Sequence, residues 1–511
     1  MSTNMYLTRK VEIHPEHPLY DWCHKTTALA NNLANAVRFR QRQVLTAIKK
    51  EPNDWTVNEK EIMDEIAHAL PVMCQTGKNP KDYKMPTETN HFLNYSFLDC
   101  LLKVTKNPDY LANGLPKQSA QQIIKVCVQD MKGFYASMRS YKKDPSKFTD
   151  KPELPGYKRK GGHCTMPITN QDCTMESGTS EKPWYAKLPY LKKKPLNIGC
   201  LDEKAVLKEA KVTPNNGRYI LSFVFEIPEK EHVANESSFR IAAVDPGVDN
   251  LMAITNNVGL PCILIKGRIV KSINQKYNKE IAAIVSKQTT GSDKKFVPTE
   301  EYYKVTNYRN NKIQDQLLKC ANFLVRWCIE NRIDTLVFGK NAFWRQEVNI
   351  GRKNNQNFVQ IPHAKLCFIL SYLCERAGIR FVEQEESYTS KASFLDNDFL
   401  PVYSKTDQNP KFSGKRRPIR YKGMYKEDGF RGLYCASDGT IINSDLNGSA
   451  NILRKAFPDA FNPCQPDFEN VEIIRNIERY DILKNQDMQC KGRPCISKAR
   501  ARRIKKVLPL G

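Results

Sequence analysis

The sequence predicts a multidomain α+β protein, and three shifts of pattern predict it. Residues 17–145 read as lysine-rich helices with single apolar faces, and residues 146–238 as Pro- and Gly-broken short β runs. From residue 239, three strands in succession give way to helices alternating with strands. At about 150 residues per domain, 511 residues suggest three domains with cores of their own.

Composition narrows the partners. Lys and Arg number 80 against 55 Asp and Glu, a formal net charge of +25 that suits a polyanion. No apolar run approaches the roughly 20 residues of a membrane span, and no signal-peptide core opens the chain, so no membrane partner is expected. The 16 cysteines are scattered without a C-x2-C pair, which fits reduced thiols inside a cell. The expected location is cytoplasmic and nucleoid-associated in a prokaryote, with a nuclear one left open. A monomer is favoured.

The elements follow in order. Met5 to Ile13 alternates like a strand and stops at His14-Pro15. The clearest helix carries Ala120, Ile123, Ile124, Cys127, Met131, Phe134, Tyr135 and Met138 on one face, with Ser119 as its expected N-cap. Lys151 to Gly162 is too rich in Pro and Gly for a helix, and Arg218 to Ile227 is a strand; residues 146–238 with 1–16 read as a small β-barrel. Tyr157 and Trp184-Tyr185, set among lysines, suit stacking on bases or serve as half-buried surface aromatics.

Residues 239–457 form the next domain. Ile241-Ala-Ala-Val-Asp-Pro-Gly-Val-Asp-Asn-Leu-Met-Ala-Ile254 is a hairpin whose first strand ends on Asp245. A carboxylate at the end of a buried strand needs a metal, an arginine or a cap; the plain alternative is a turn residue. A third strand at Cys262–Ile265 precedes one long helical stretch to about residue 330. A fourth strand covers Asp334–Phe338, a helix runs from His363 to Ala377 with Gly378 as C-cap, and a fifth strand covers Ile379–Glu383. The last helix is expected to begin near Asn447, just after Asp445, whose plain reading is an N-cap. This succession is that of the ribonuclease H-like fold, whose first and fourth strands are central neighbours with acids converging at their ends. Such a cluster holds divalent cations for phosphodiester cleavage.

Several stretches are similar to one family: Val244-Asp-Pro-Gly-Val-Asp-Asn-Leu251, Lys271 to Asn278, Gly339-Lys-Asn341, Asn354 to Pro362, Glu386-Ser-Tyr-Thr-Ser390, and Ile442-Asn-Ser-Asp-Leu-Asn-Gly-Ser-Ala-Asn-Ile452. They resemble the transposon-encoded TnpB proteins, relatives of type V CRISPR effectors and of Fanzor proteins. The resemblance implies an RNA-guided DNA endonuclease: a RuvC-like nuclease domain at 239–457, a helical recognition domain at 17–145, and a wedge barrel from 1–16 and 146–238. A guide RNA and double-stranded DNA are the implied partners, and two Mg²⁺ or Mn²⁺ ions the implied cofactors. A cleavage-deficient guided binder and a ribonuclease H-like transposase or integrase are the competing classes.

Two departures from the family stand out. Ser393, Asp396, Cys435 and Asp438 occupy the places of a zinc ribbon's two cysteine pairs, and one thiolate in four closes no such site, so no zinc is expected in this domain. The glutamate expected after the fourth strand is also missing, since Gly339-Lys340-Asn341 stands there. Glu386, three residues before Thr389 as in Fanzor-like sequences, could reach across Gly339 and complete a catalytic, metal-holding set with Asp245 and Asp445. Glu385 is the runner-up for that place, and Glu347 and Glu383 are further candidates.

Basic and amide residues mark the expected nucleic-acid groove: Lys271, Asn274, Lys340, Asn341, Lys353, Asn355, Gln356, Asn357, Lys415 and Arg416. Each run taken singly also fits a solvated loop. Residues 458–511 read as a flexible basic tail. In it, Lys498 to Lys506 is either a nucleic-acid arm or a nuclear-localisation signal, and Cys490 with Cys495 is a weak metal pair.

Overall fold

The computed structural model describes residues 5–77, 83–111, 114–191, 195–227, 239–291, 295–340, 361–402, 410–461, 476–482 and 488–490. They fall into two compact units that divide after Glu229.

The first unit sets four helices, α1 (Tyr20–Ala47), α2 (Val57–Thr76), α3 (Tyr95–Val104) and α4 (Lys117–Lys143), on two small sheets. One sheet has the order β1-β7-β6-β2, from β1 (Met5–Ile13), β2 (Met166–Thr169), β6 (Val206–Asn215) and β7 (Arg218–Ile227). The other has the order β3-β4-β5, from β3 (Thr174–Glu176), β4 (Pro183–Lys187) and β5 (Leu196–Cys200). β1 pairs antiparallel along its whole length with β7, more than two hundred positions later in the chain. One apolar core joins helices and strands, with Ile124, Leu101, Phe223 and Phe225 in it.

Two expectations are corrected in this unit. Pro116, not Ser119, stands at the N-cap of α4, because proline's fixed φ and missing N–H suit a helix start. Ser119 lies buried inside the first turn. Trp184 is no stacking platform, since it is buried edge-on against Phe225.

The second unit is organised on a seven-stranded sheet. Its strands are β8 (Ile241–Pro246), β9 (Asn250–Asn256), β10 (Cys262–Lys266), β11 (Thr335–Lys340), β12 (Arg380–Glu385), β18 (Ile477–Ile482) and β19 (Met488–Cys490). The order is β12-β11-β8-β9-β10-β18-β19. β8, β11 and β12 run parallel, while β9 is antiparallel to both β8 and β10. β8 and β11 are central and buried on both faces, as their continuous apolar runs require.

Alternation assigns the faces. Ala242, Val244, Leu336 and Phe338 pack with α6 (Glu300–Glu330) and α7 (His363–Ala377). Ile241, Ala243 and Val337 pack with Ile452 and Leu453 of α8 (Ser444–Ala456). Asp245 and Gly339 continue the odd-numbered rows and therefore look towards α8. Small strands β13 (Lys415–Arg416), β14 (Arg420–Tyr421), β15 (Met424–Tyr425), β16 (Leu433–Cys435) and β17 (Ile441–Asn443) lie between β12 and α8 in the chain.

Three further expectations change. The long helical stretch is two helices, α5 (Arg268–Thr289) and α6. The last helix starts at Ser444, so Asp445 lies inside its first turn, and the cap is Asn443, whose Oδ1 accepts from the Asp445 and Leu446 amides at 2.9 and 3.1 Å. The segment read as a flexible tail supplies β18, which lies parallel to β10, with Lys266 Nζ 3.1 Å from Asp481. A short strand with Glu478, Arg479 and Asp481 among its six residues was too weak an apolar signal to read. Lys498 to Lys506 and Cys495 lie outside the described residues.

Candidate active site

Asp245 stands at the end of β8, opposite Ala253 of β9, and is half-buried. A Cβ on Gly448, one turn into α8, would collide with Asp245 Oδ2, so this glycine lets the helix approach the carboxylate. Ser449 fixes that approach: its Oγ donates to the Ala243 carbonyl at 2.9 Å and accepts from the Thr255 amide at 3.2 Å. The first turn of α8 thereby brings in Asp445.

Glu386 arrives from the other side. A Cβ on Gly339 would stand 2.9 Å from Glu386 Oε2 and 2.6 Å from Ile452 Cδ1, so the carboxylate occupies the space that the missing side chain leaves. The turn after Glu386 is held by Thr389, whose Oγ1 and N both donate to the Glu386 carbonyl, at 2.8 and 3.2 Å. Tyr388 takes a left-handed φ of 65° within it. Asn447 Nδ2 donates to the Ala392 carbonyl (2.8 Å), Asn447 Oδ1 accepts from the Phe394 amide (3.0 Å), and Asn451 Nδ2 donates to the Thr389 carbonyl (2.9 Å). These two buried asparagines, one turn apart, lock the Glu386 loop onto α8. The sequence reading missed them as site residues, although paired polar residues beside Gly448, Ser449 and Ala450 on a packed helix are a usable signal.

The electrostatics follow from this packing. Burial pushes the Asp245 carboxyl well above its usual range, Glu386 and then Asp445 push it further, and Arg416 on β13 opposes them. The other acids near β12 are committed elsewhere. Glu385 Oε2 accepts from Lys455 Nζ at 2.7 Å and its Oε1 from the Ser387 amide at 2.6 Å. Burial would raise Glu385, but those bonds hold it below the usual range. Glu383 is paired with Lys340.

Among the described residues, no group of three or more His, Cys, Asp or Glu is spaced to hold a metal ion as it stands. Charge and donor chemistry nevertheless fit a divalent cation at the acids. Three carboxylates, two of which make ionisation of Asp245 costly, offer hard oxygen donors, and glycine clears the space on two sides.

The expected ribbon positions are tied by hydrogen bonds. Asp396 accepts from Ser437 through both its amide (3.0 Å) and its hydroxyl, and its own amide donates to Ser393 Oγ at 3.3 Å. Asp398 accepts from the Ser393 amide (2.7 Å) and from Ser413 Oγ (2.6 Å), two residues before β13. Asp438 accepts from Thr440 through its amide and hydroxyl, at 2.8 and 2.7 Å.

The expected groove residues separate into three groups. Lys415 and Arg416 are exposed on β13. Lys271 pairs with Asp249, Lys340 with Glu383, and Asn274 is buried, accepting from Arg309 Nε at 2.9 Å. Asn274 thus ties α5 to α6 and is not placed to read a base. Asn341, Glu347, Lys353, Asn355, Gln356 and Asn357 lie outside the described residues. In the first unit, an open groove of about 690 Å³ is lined by Asn32, Asn35, Phe39, Tyr157, Lys158 and Lys160 among others, and Arg42 lies 5.1 Å from the Tyr157 ring centre.

Fold and site define a multidomain α+β protein in which acids from three separate elements meet beside the central strands. The family model described as "Probable transposase" (OrfB_IS605) matches residues 222–345, and "Cas12f1-like, TNB domain" matches residues 363–452. Both matches are consistent with a TnpB-like protein. Comparison with curated proteins found no match.

Among solved structures, the chain is similar to "Cryo-EM structure of the Cas12f1-sgRNA-target DNA complex", at 12% identity and a TM-score of 0.40, covering 88% of this chain and 98% of that one. It is also similar to "Cryo-EM structure of CRISPR-Cas12f Ternary Complex" (13% identity, TM-score 0.30, 82% of this chain and 81% of that one). A third is "Crystal structure of AacC2c1-sgRNA-extended non-target DNA ternary complex" (8% identity, TM-score 0.36, 83% of this chain and 70% of that one). No helix among the described residues is long and apolar enough to cross a membrane.

Proposed function

We propose that the chain is an RNA-guided DNA endonuclease whose cleavage site is built from Asp245, Glu386 and Asp445 in a ribonuclease H-like, RuvC-type domain. One observation carries the reading: a half-buried aspartate at the end of an interior strand is pressed by two carboxylates from remote parts of the sequence. Carboxylates held close together in a partly buried corner are costly, and sites for divalent cations and phosphoryl chemistry are where proteins keep them. The strand order, with the central β8 flanked by β11 on one side and β9 on the other, supports the fold assignment. The matches to transposase and Cas12f1-like models support the guided activity.

When bound, divalent cations supply charge neutralisation on the attacking and leaving oxygens of an in-line displacement. Asp245, Glu386 and Asp445 are the residues that would hold them. Arg416, whose charge already reaches Asp245, is placed to draw the scissile phosphate towards the acids. Lys415 extends that basic edge for the strand being cut. The first unit, read as a recognition lobe and wedge barrel, offers its Tyr157 groove for guide or target contacts.

The test is cleavage of a guide-matched DNA in Mg²⁺ with RNA that co-purifies. Asp245→Ala, Asp445→Ala and Glu386→Gln are each expected to abolish cutting with target binding retained. Normal cutting by Glu386→Gln would remove that residue from the set, and normal cutting by either aspartate variant would overturn the site. Activity without any RNA would favour a transposase or integrase. Guided binding with no metal-dependent cutting in the unaltered chain would favour a binder.

A further inference from the structure

Asn250 Nδ2 donates to Asp445 Oδ2 at 2.7 Å. Nothing in the β8–β9 turn requires an amide there, and the backbone does unusual things to deliver it. Met252 of β9 faces Ile265 of β10, but the next residue of β10, Lys266, faces Asn250 and not Leu251. The extra residue is a β-bulge, which re-aims the side chains around it.

The turn itself is clamped. Gly267 N donates to the Asp249 carbonyl at 2.9 Å and Gly247 N to the Leu251 carbonyl at 3.3 Å. A Cβ on Gly247 would lie 2.6 Å from the Asn250 carbonyl oxygen, and one on Gly267 would lie 2.6 Å from that of Val248. Asp249 is held outward by Lys271. Asn250 is thus presented by a close-packed turn and is not a loosely solvated side chain.

We infer that Asn250 is a positioning residue for the metal-holding carboxylates, an inference that rests on the three-acid reading above. The chemistry is one of occupancy. Asp445 has two oxygens, and its backbone is set by the Asn443 cap. Asn250 engages Oδ2 and fixes the rotamer, which leaves Oδ1, where Ser444 Oγ stands 3.4 Å away, to face a divalent cation. An amide does this without adding charge to a corner that already holds three acids. Hydrogen-bond partners of metal ligands typically contribute about 10–100-fold in affinity when they are removed.

The experiment uses the full-length protein freed of nucleic acid. Mn²⁺ binding is measured by calorimetry, Mg²⁺ titrations of cleavage are run after guide RNA is restored, and melting is followed in chelator. Asn250→Leu keeps the size and removes the donor; Asn250→Ala removes the amide without new bulk. Both are expected to weaken Mn²⁺ about 10–100-fold and to move the Mg²⁺ midpoint of cleavage upward by a similar factor. The plateau rate at saturating Mg²⁺ and the melting point in chelator should stay near those of the unaltered chain.

A merely structural role would lower melting and the plateau together and leave the midpoint in place. Unchanged Mn²⁺ binding in both variants, with Asp445→Ala weakened, overturns the role of Asn250 and leaves the site standing. Unchanged binding in Asp445→Ala overturns the three-acid reading and this inference with it. If Asn250→Leu melts early, Asn250→Ala decides.

Discussion

At the scale of single residues, two glycines set what the acids can do. A methyl group on Gly339 would meet the far ends of Glu386 and Ile452, both of which can move, and the Val244 carbonyl only at 3.3 Å. The fold should therefore tolerate Gly339→Ala at a cost of about 1–3 kcal/mol. Cleavage should not, because a shift of about 1 Å in Glu386 is enough to cost ~100-fold in rate. Comparing melting with turnover in that variant checks the split, and proportionate losses would sink it. Asp245 predicts the opposite sign: half-buried and pressed by two like charges, it destabilises the metal-free protein. Asp245→Asn should raise the melting point in chelator, by the equivalent of about 0.5–2 kcal/mol, while cutting disappears. Much of this corner was legible beforehand, because a continuous apolar run ending on Asp245 and a fourth strand giving way to Gly339 put both positions at strand ends. The asparagines 250, 447 and 451 were not legible. Each acts on a carbonyl, an amide or a carboxylate that is remote in the sequence, and no local pattern encodes that partner.

At the scale of elements, hydrogen-bonded knuckles stand where a metal ribbon was absent from the sequence. Burial alone would raise Asp396, but bonds from Ser393 and Ser437 outweigh it and hold the carboxyl below its usual range. Thr440, through its amide and its hydroxyl, does the same for Asp438. A folded-state pKa below the unfolded value near 3.9 means stability that is complete above that value and lost as pH falls through the folded one. Asp396→Ala should therefore melt below the unaltered chain at pH 6, with the gap closing as pH drops below about 4. A gap that stays constant to pH 3 would show that the carboxylate is not what holds Ser437. Cys435→Ser should leave both melting and metal content unaltered. Element boundaries were the weakest part of the sequence reading. The start of α4 was misplaced because Pro116 outranked Ser119, and that of α8 because the cap is Asn443 rather than Asp445. At α4 no side chain caps the start, and at α8 Asn443, Ser444 and Asp445 stand together as residues able to cap.

At the scale of the whole molecule, charge dominates. A surplus of 25 positive charges over 511 residues is large, and the exposed Lys415 and Arg416 on β13 display part of it, with the charge of Arg416 reaching Asp245. Binding that relies on lysine and arginine releases counterions from the nucleic acid, so affinity falls as a power of salt concentration. Each phosphate contact on a single strand adds about 0.7 to that power, so roughly eight contacts predict a slope near −6 and a loss of about 10³–10⁴-fold between 50 and 200 mM salt. The expected measurement is a set of RNA dissociation constants over that range, plotted logarithmically. Arg416→Ala with Lys415→Ala should lower the slope by about one to two and leave the first unit's melting unchanged. Because the charge of Arg416 reaches Asp245, the double variant should also slow cleavage at salt low enough for full RNA binding. A slope shallower than about −2 would mean that the positive surplus is solvated surface, and the basic edge at β13 would lose its assigned role. An unaltered slope with slowed cleavage would instead assign Arg416 to the scissile phosphate alone, since a contact made only during the reaction leaves RNA affinity untouched.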